Sequence, residues 1–118
     1  FNNNIVDIYD LTLECLSKNQ INDQFINLTD IIAKFDNEQF KNYLSILKSI
    51  LIFLNKVKLD IFDTDLYKSN KFKSLKNTST YISSKNIFNR LEYLSKNEND
   101  VFVFNLDKKT FILNFLMS

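Results

Sequence analysis

Apolar residues recur at helical spacing from the start of the chain. Five of them predict a first helix over about residues 4–18: Ile5, Ile8, Tyr9, Leu13 and Leu16. A polar break follows at 19–23. A second apolar stripe then begins at Phe25 and ends at Phe35, with the spacing i, i+3, i+7 and i+10 that is typical of a helix. Neither helix is stable alone at this length, so both are expected to pack against other elements.

The third predicted helix carries the strongest signal in the chain. Asp36 precedes Gln39 by three residues, an Asp version of the capping box in which each residue's side chain bonds the other's backbone N–H. One apolar stripe follows for four turns: Phe40, Tyr43, Leu44, Leu47, Ile50, Leu51 and Leu54. Three more apolar residues lie off the stripe: Ile46, Ile52 and Phe53. A helix that is apolar on nearly every side is buried, so residues 37–57 are predicted to form the central helix of a bundle.

Shorter helices are predicted for the rest of the chain. A connection over 56–65 leads to a short basic helix over about 66–75. Candidate N-caps for the helix after it are Ser79, Ser83 and Ser84. The buried side of that helix is predicted to carry Ile87, Phe88, Leu91, Leu94 and Val101. Asp107 is a candidate N-cap for a last helix with four apolar positions: Phe111, Ile112, Phe115 and Leu116.

Residues 101–113 allow a second interpretation. The apolar runs 101–104 and 110–113 flank a polar stretch and are also compatible with a β-hairpin by composition. Both runs are continuous rather than alternating, and the polar stretch contains no glycine. We therefore prefer helix-turn-helix and keep the hairpin as an alternative.

The composition favours an all-α fold. The 118 residues include no Gly and no Pro, which hairpins and sandwiches use repeatedly in their turns. Asn, Asp and Ser can begin and end helices without them. A hydrophobic fraction of 45% with a net charge of +1 excludes the disordered class. We expect residues 1–118 to form one domain, a compact bundle of five to six helices around the buried central helix.

The same absences exclude most catalytic and ligand-binding chemistry. Without Gly there is no glycine-rich phosphate loop, and without His there are no His-based triads or common zinc sites. Asp60, Asp63 and Asp65 do not match a calcium-binding loop, because Asp65 and Lys71 stand where that loop needs Gly and Glu. Cys15 lies among apolar helical positions and is expected to be buried rather than reactive. No catalytic, cofactor-binding or metal-binding residue is assigned, and no enzyme is predicted.

Lysines are concentrated in the middle of the chain: Lys56, Lys58, Lys68, Lys71, Lys73 and Lys76. Tyr67 and Phe72 lie within this run and offer rings for base stacking, so a basic helix over Lys68–Lys76 is a candidate nucleic-acid-binding element. Asn, Lys, Ile and Phe dominate the whole chain, as in proteins of AT-rich genomes, so a solvated helix face is the simpler interpretation. The small net charge also argues against a dedicated DNA-coating protein.

No membrane segment or signal peptide is evident in the sequence. The longest apolar run, 50–54, is far shorter than the ~20 residues that a bilayer requires, and the opening residues 2–4 are all Asn. A single cysteine is typical of a reducing compartment, so a cytoplasmic domain is expected. Since the chain begins with Phe1, we expect it to be part of a longer protein.

Three segments carry a resemblance to a known family. Residues 37–39 (Asn-Glu-Gln) open the long helix, 82–85 (Ile-Ser-Ser-Lys) precede a later helix, and 107–117 close the chain with Phe-Ile and Phe-Leu pairs. The order is similar to that of the carboxyl-terminal domain of the delta-prime subunit of bacterial DNA polymerase III. That family has a Glu-Gln helix start, a Leu-Ser-x-Ser start and a final Asn-x-x-Leu-Leu helix, where this chain has Asp107 for Asn. Cys15 and the break near 19–24 also fall in register.

The resemblance implies a collar domain of the clamp loader, the complex that places the sliding clamp on primed DNA during replication. Five such helical domains form the collar of a hetero-pentamer with delta and tau/gamma subunits, which share the domain and fit the resemblance as well. The zinc module and degenerate phosphate loop of delta-prime lie upstream of this domain, and no binding residue of the family maps onto this chain. The implied role is non-catalytic oligomerisation, and we expect the first and last helices to contribute to the subunit interfaces.

Overall fold

Five helices and one further helical turn make up the regular structure of the residues that are described. The computed structural model describes residues 2–17, 22–59 and 76–117, with only the backbone for 2–7. The helices are α1 (Asn2–Leu16), α2 (Asp23–Ala33), α3 (Asn37–Lys58), α4 (Ser84–Val103) and α5 (Lys108–Leu116), and residues 76–79 are also helical. The described ranges contain no strand, so the predicted all-α class is confirmed and the hairpin alternative for 101–113 is wrong.

The first two helices agree with the sequence pattern apart from their ends. α1 begins and ends about two residues before the predicted 4–18. In α2, the Asn22 side chain accepts a hydrogen bond from the backbone N–H of Phe25 at 3.1 Å, which satisfies a free donor of the first turn. α2 stops two residues short of Phe35, whose ring is only half-buried, while the earlier positions of its predicted stripe are buried.

The capping box predicted for α3 is present. The Asp36 carboxylate accepts a hydrogen bond from the Gln39 backbone N–H at 2.8 Å, and the Gln39 side chain accepts one from the Asp36 backbone N–H at 3.0 Å. All seven stripe positions from Phe40 to Leu54 are buried, and Val57 extends the stripe. The helix continues through Lys58, one residue beyond the predicted 37–57 and into the predicted connection.

The prediction that α3 is covered on every side is wrong. Ile52 is 48% exposed, and Ile46 and Phe53 are half-buried. Ile52 belongs to an exposed stripe with Lys41, Ser45, Ser49 and Lys56, one residue every three or four positions. The other helices therefore cover the predicted stripe of α3 and leave the opposite face to solvent.

α3 lies at the centre of the packing and runs antiparallel to α4. The ring of Phe40, in its first turn, lies 5.9 Å from that of Phe102 near the end of α4. At the other end, Lys58 Nζ donates a hydrogen bond to the Ser79 carbonyl at 2.8 Å, shortly before α4 begins. α1 packs on α2, and α5 packs on both α2 and α4. All five helices contribute to one hydrophobic core.

α4 begins where the sequence predicts but differs from the prediction on its buried side. Ser83 is the N-cap, and its hydroxyl accepts a hydrogen bond from the Asn86 backbone N–H at 3.1 Å. Ile87, Leu94 and Val101 are buried and Leu91 is half-buried. Phe88, which was expected inside, is 64% exposed. Arg90 is buried instead, because it lies three residues after Ile87 and four before Leu94, on the stripe that faces the core.

α4 and α5 are joined by a tight turn that explains why the segment is not a hairpin. Asn105 adopts a left-handed backbone conformation with φ of 50°, and the Leu106 N–H donates to the Val101 carbonyl at 3.0 Å. This is the Schellman termination of a helix, with Asn at the position that Gly usually occupies. Asp107 then caps α5 as predicted, accepting from the Thr110 N–H at 3.0 Å. The four predicted apolar positions of α5 are all buried.

Two predicted features lie outside the described residues: the short basic helix over 66–75 and the Asp60–Asp65 loop. None of the helices described is long and apolar enough to cross a bilayer. The radius of gyration is 14.1 Å. This is close to the ~13.5 Å expected for a compact fold of this length.

Candidate functional site

The ionisable groups that the structure describes do not assemble a reaction centre. Within the described ranges, no three His, Cys, Asp or Glu side chains are placed to share a metal ion. Three carboxylates instead pair with lysines: Glu98 with Lys48, Glu92 with Lys96 and Asp30 with Lys109, at 2.6 to 2.9 Å. Partly exposed pairs of this kind contribute at most ~1 kcal/mol each to stability. Two of them join different helices and the Glu92–Lys96 pair lies within α4, so all three are structural contacts.

Cys15 is buried, as the sequence predicts. Burial raises the pKa of its thiol to about 12, and the nearby Glu14 carboxylate adds to the rise. A thiol with this pKa holds its proton at neutral pH, and the thiolate is the nucleophilic form. Cys15 therefore serves as a small core residue.

A buried hydroxyl pair joins α1 to α3. The Thr12 and Tyr43 side-chain oxygens lie 2.8 Å apart, and the Thr12 hydroxyl also donates to the Ile8 carbonyl at 2.7 Å. Since the Thr12 hydroxyl has one hydrogen, Tyr43 is the donor to Thr12. Burial raises the pKa of the Tyr43 phenol. The pair is a structural tie, because the Tyr43 proton stays in place at neutral pH.

Arg90 is the most unusual residue of the described core, and the sequence analysis did not single it out. Its Nη2 donates a buried hydrogen bond to the Leu116 carbonyl at 3.0 Å, while Nε and Nη1 are buried with no hydrogen-bond partner. Burial alone lowers the pKa of the guanidinium. The sequence does contain a signal for the burial of Arg90: its helical spacing places it between Ile87 and Leu94 on the buried stripe of α4.

The position of Arg90 indicates a structural role. Leu116 is the last residue of α5, where the backbone carbonyls lack helical partners and the helix dipole is negative. A cation at that end is favourable, whereas burying its two unpaired donor atoms is costly. Arg90 thus ties α4 to the last turn of α5 at a cost in stability.

One end of the bundle exposes a short apolar segment at the α4–α5 turn. We call it the turn patch; it consists of Val103, Phe104 and Leu106. Val103 is 70% exposed and Phe104 is 67% exposed. Beside it, Lys41 Nζ lies 5.0 Å from the centre of the Phe102 ring. Clustered exposed apolar side chains with a polar rim are typical of protein interaction sites.

The opposite end combines lysines with exposed rings. We call it the basic end; it consists of Lys56, Lys58, Lys76, Lys85, Tyr81 and Phe88. All six are exposed, and the described residues 39–59 and 76–91 contain no Asp or Glu. Of the predicted basic helix, only Lys76 is described; Lys68, Lys71, Lys73, Tyr67 and Phe72 lie outside the described ranges.

Comparison with protein-family models, curated proteins and solved structures gives no match to this chain. The clamp-loader resemblance therefore depends on the sequence segments 37–39, 82–85 and 107–117. Any assignment of function depends on that resemblance together with the turn patch, the basic end and the buried ties.

Proposed function

We propose that this domain is a non-catalytic oligomerisation module of the clamp-loader collar type, resembling delta-prime of bacterial DNA polymerase III. In this proposal it acts in the cytoplasm as part of a longer subunit. It packs beside delta and tau/gamma subunits in a hetero-pentamer that loads the sliding clamp. Its contribution is to fix the order of subunits by surface contact, without substrate or cofactor.

The observation that carries this proposal is the exposure of the turn patch. Val103, Phe104 and Leu106 expose three apolar side chains within four residues at one corner, whereas the apolar positions of α5 that follow are buried. Aromatic and aliphatic anchors of this kind dominate the binding energy of protein interfaces. A partner that covers Phe104 would recover the hydrophobic free energy that the isolated domain leaves unused.

The charges around the turn patch favour a protein partner over a polyanion. Asp36, Glu38 and Asp107 lie at the helix starts of this end, together with Lys41 and Lys108. A rim that carries both positive and negative charges suits a protein partner, because the rim of a protein interface is polar. A nucleic-acid surface requires an excess of cations, which this corner lacks.

The expectation that the first and last helices form the interface stays a prediction. In α5, the apolar residues Phe111, Ile112, Phe115 and Leu116 are committed to the core. The turn patch immediately before α5 is a better candidate than the helix itself. For α1, the described side chains Asp10 and Glu14 are exposed and polar.

The test is reconstitution of the complex with the full chain. Purified protein is mixed with delta and tau/gamma subunits from the same organism, and the assembly is measured by native mass spectrometry and sedimentation velocity. We expect a complex with the unaltered chain and at least a tenfold weaker one with Phe104→Glu, since a buried charge replaces an anchor. The matched control is Phe88→Glu, at the opposite end. Absence of a complex, or equal loss in both variants, would contradict the proposal.

The predicted alternative function is nucleic-acid binding by a basic helix over Lys68–Lys76. Most of that segment lies outside the described residues, so the helix itself stays a prediction. Lys76 is exposed, and it lies close in sequence to Ser79, which the Lys58 side chain contacts. This placement favours a basic surface larger than one helix.

A further inference from the structure

We infer that the basic end of the bundle binds single-stranded nucleic acid, with its lysines on the phosphates and its two exposed rings on the bases. This activity is independent of the assembly role proposed for the turn patch. The surface differs from the predicted Lys68–Lys76 helix, because it draws on three separate elements that the fold brings to one end.

The fold places these elements together. Lys56 and Lys58 lie in the last turn of α3, and Lys58 Nζ donates to the Ser79 carbonyl at 2.8 Å. Ser79 in turn donates from its hydroxyl to the Lys76 carbonyl at 2.6 Å. Lys85 is the second residue of α4, which starts at this end because α4 runs antiparallel to α3. Four lysines from three elements therefore share one end of the molecule.

The described residues near this end carry only positive charge. Residues 49–59 and 76–89 contain four Lys and no Asp, Glu or Arg, a net charge of +4. The other described residues carry seven Lys and Arg against eleven Asp and Glu, a net charge of −4. The overall charge of +1 hides this asymmetry. A polyanion would be attracted to one end of the domain and repelled by the rest.

The two exposed rings favour a single-stranded nucleic acid, which has unpaired bases, over other polyanions. Tyr81 is 62% exposed and Phe88 is 64% exposed, at positions that contribute little to the core. Single-stranded nucleic acids stack their bases on such rings while lysines follow the backbone. In a duplex the bases are already stacked on one another, so the rings would gain nothing. In an interfacial helix, the apolar residues form one continuous face, whereas these rings come from a turn and from α4.

Fluorescence anisotropy with the full chain tests the inference. The probes are labelled oligo(dT) and oligo(rU) of about 20 nucleotides and a mixed-sequence DNA duplex, each titrated at several salt concentrations. Lysine contacts with a single strand release about 0.7 counterion each. With four lysines engaged, the logarithm of the affinity for oligo(dT) is expected to fall with a slope of about −3 against the logarithm of the salt concentration. Binding to the duplex is expected to be several-fold weaker.

Two sets of variants separate the phosphate contacts from the stacking contacts. Replacing three exposed lysines by Gln is expected to reduce the salt slope by about 2. The three are Lys56, Lys76 and Lys85; Lys58 is kept because of its bond to Ser79. The double variant Tyr81→Ala, Phe88→Ala is expected to weaken binding by at least about tenfold with little change in slope.

The opposite end provides matched controls. Replacing three of its lysines by Gln removes the same charge, and Phe104→Ala removes an equally exposed ring; the lysines are Lys34, Lys41 and Lys108. We expect these controls to change the affinity for oligo(dT) by less than twofold. α4 has 20 residues and so separates the two ends by about 30 Å. Circular dichroism melting verifies that every variant is folded.

Several results would overturn the inference. These are no detectable binding of oligo(dT) or oligo(rU), equal losses in the test and control variants, or full binding by the Tyr81→Ala, Phe88→Ala variant. Binding of anionic phosphatidylserine vesicles but of no oligonucleotide would identify the basic end as a membrane surface instead. Failure here leaves the assembly proposal intact, because that proposal is tested at Phe104 with a different readout.

Discussion

The guanidinium of Arg90 holds the carbonyl of Leu116 by a hydrogen bond of 3.0 Å, and this is the one hydrogen bond that it makes among the described residues. Leu116 ends α5, so the bond fixes the last turn of α5 against the second turn of α4. The remaining donors of Arg90 are buried without partners. The charged guanidinium is therefore buried in the core, although only one backbone carbonyl accepts a hydrogen bond from it.

We predict that Arg90→Met stabilises the isolated domain. Desolvating an unpaired cation costs several kcal/mol, whereas one hydrogen bond from a charged donor returns only ~1.5–3 kcal/mol. Methionine has a similar length and adapts to irregular space, so the core stays filled. The free energy of unfolding, measured by urea denaturation at neutral pH, is expected to rise by about 1–2 kcal/mol.

Arg90→Lys is the matched control for this substitution. It keeps the charge but loses the planar fork, so it is expected to be less stable than the unaltered chain. A methionine variant less stable than the unaltered chain by more than ~1 kcal/mol would show that the bond to Leu116 outweighs the cost of burial.

Thr12 and Tyr43 are predicted to be energetically coupled. Thr12→Val leaves the buried Tyr43 hydroxyl without its acceptor and is expected to cost about 1–3 kcal/mol. Tyr43→Phe removes the donor and leaves the Thr12 bond to the Ile8 carbonyl, so it is expected to cost ~1 kcal/mol. The double variant removes both polar groups and should cost less than the sum of the two.

A double-mutant cycle measured by urea denaturation gives the coupling energy of this pair. Phe35 packs edge-on against the Tyr43 ring, with 6.0 Å between ring centres, and the phenylalanine variant preserves that contact. Strict additivity of the two single variants would mean that the Tyr43 hydroxyl finds another partner or water.

The helices could be predicted from the sequence because their signals are local. Caps such as Asp36 and Asp107 satisfy N–H groups three residues away, and periodic apolar positions define a face. What covers that face depends on distant segments, so the exposure of Ile52 and Phe88 was not predictable. The burial of Arg90 was also not predicted, because charged residues are seldom fully buried.

The candidate surfaces were less predictable than the fold. The lysine run indicated one basic helix, whereas the structure adds Lys85 and the rings of Tyr81 and Phe88 through the antiparallel packing of α3 and α4. The apolar run at 101–104 is compatible with the end of a helix, with Val101 buried, or with a strand. It contributes Val103 and Phe104 to the surface because the helix ends there.

Stability is predicted to fall on the alkaline side, partly because of Cys15. Burial raises the pKa of its thiol from 9.0 in the unfolded chain to about 12 in the folded one. Between these values the folded state binds more protons than the unfolded state, so raising the pH favours unfolding. The stabilisation from this group is complete below about pH 9 and is lost as the pH rises toward 12.

Urea denaturation in the presence of a reductant, at several pH values from about 8 to 11, measures this dependence. One proton taken up on folding gives a slope of ~1.4 kcal/mol per pH unit. Cys15→Ala is expected to lower the slope above pH 9 by about this amount, although the small cavity reduces stability at every pH. Tyr43 contributes to the remaining slope because its pKa is also raised. An unchanged slope in Cys15→Ala would mean that the thiol ionises equally in both states.

The left-handed conformation of Asn105 predicts opposite effects for two small substitutions. Its φ of 50° is strained for residues with a Cβ and free of strain for glycine. Asn105→Ala is expected to lower the free energy of unfolding by ~1 kcal/mol. Asn105→Gly is expected to keep it or raise it by up to ~1 kcal/mol.

The control is Asn99→Ala, on the exposed side of α4, which should stabilise the domain by a few tenths of a kcal/mol through helix propensity. Thermal and urea denaturation compare the three variants. If alanine at 105 were as stable as glycine, the stability of the turn would not depend on positive φ.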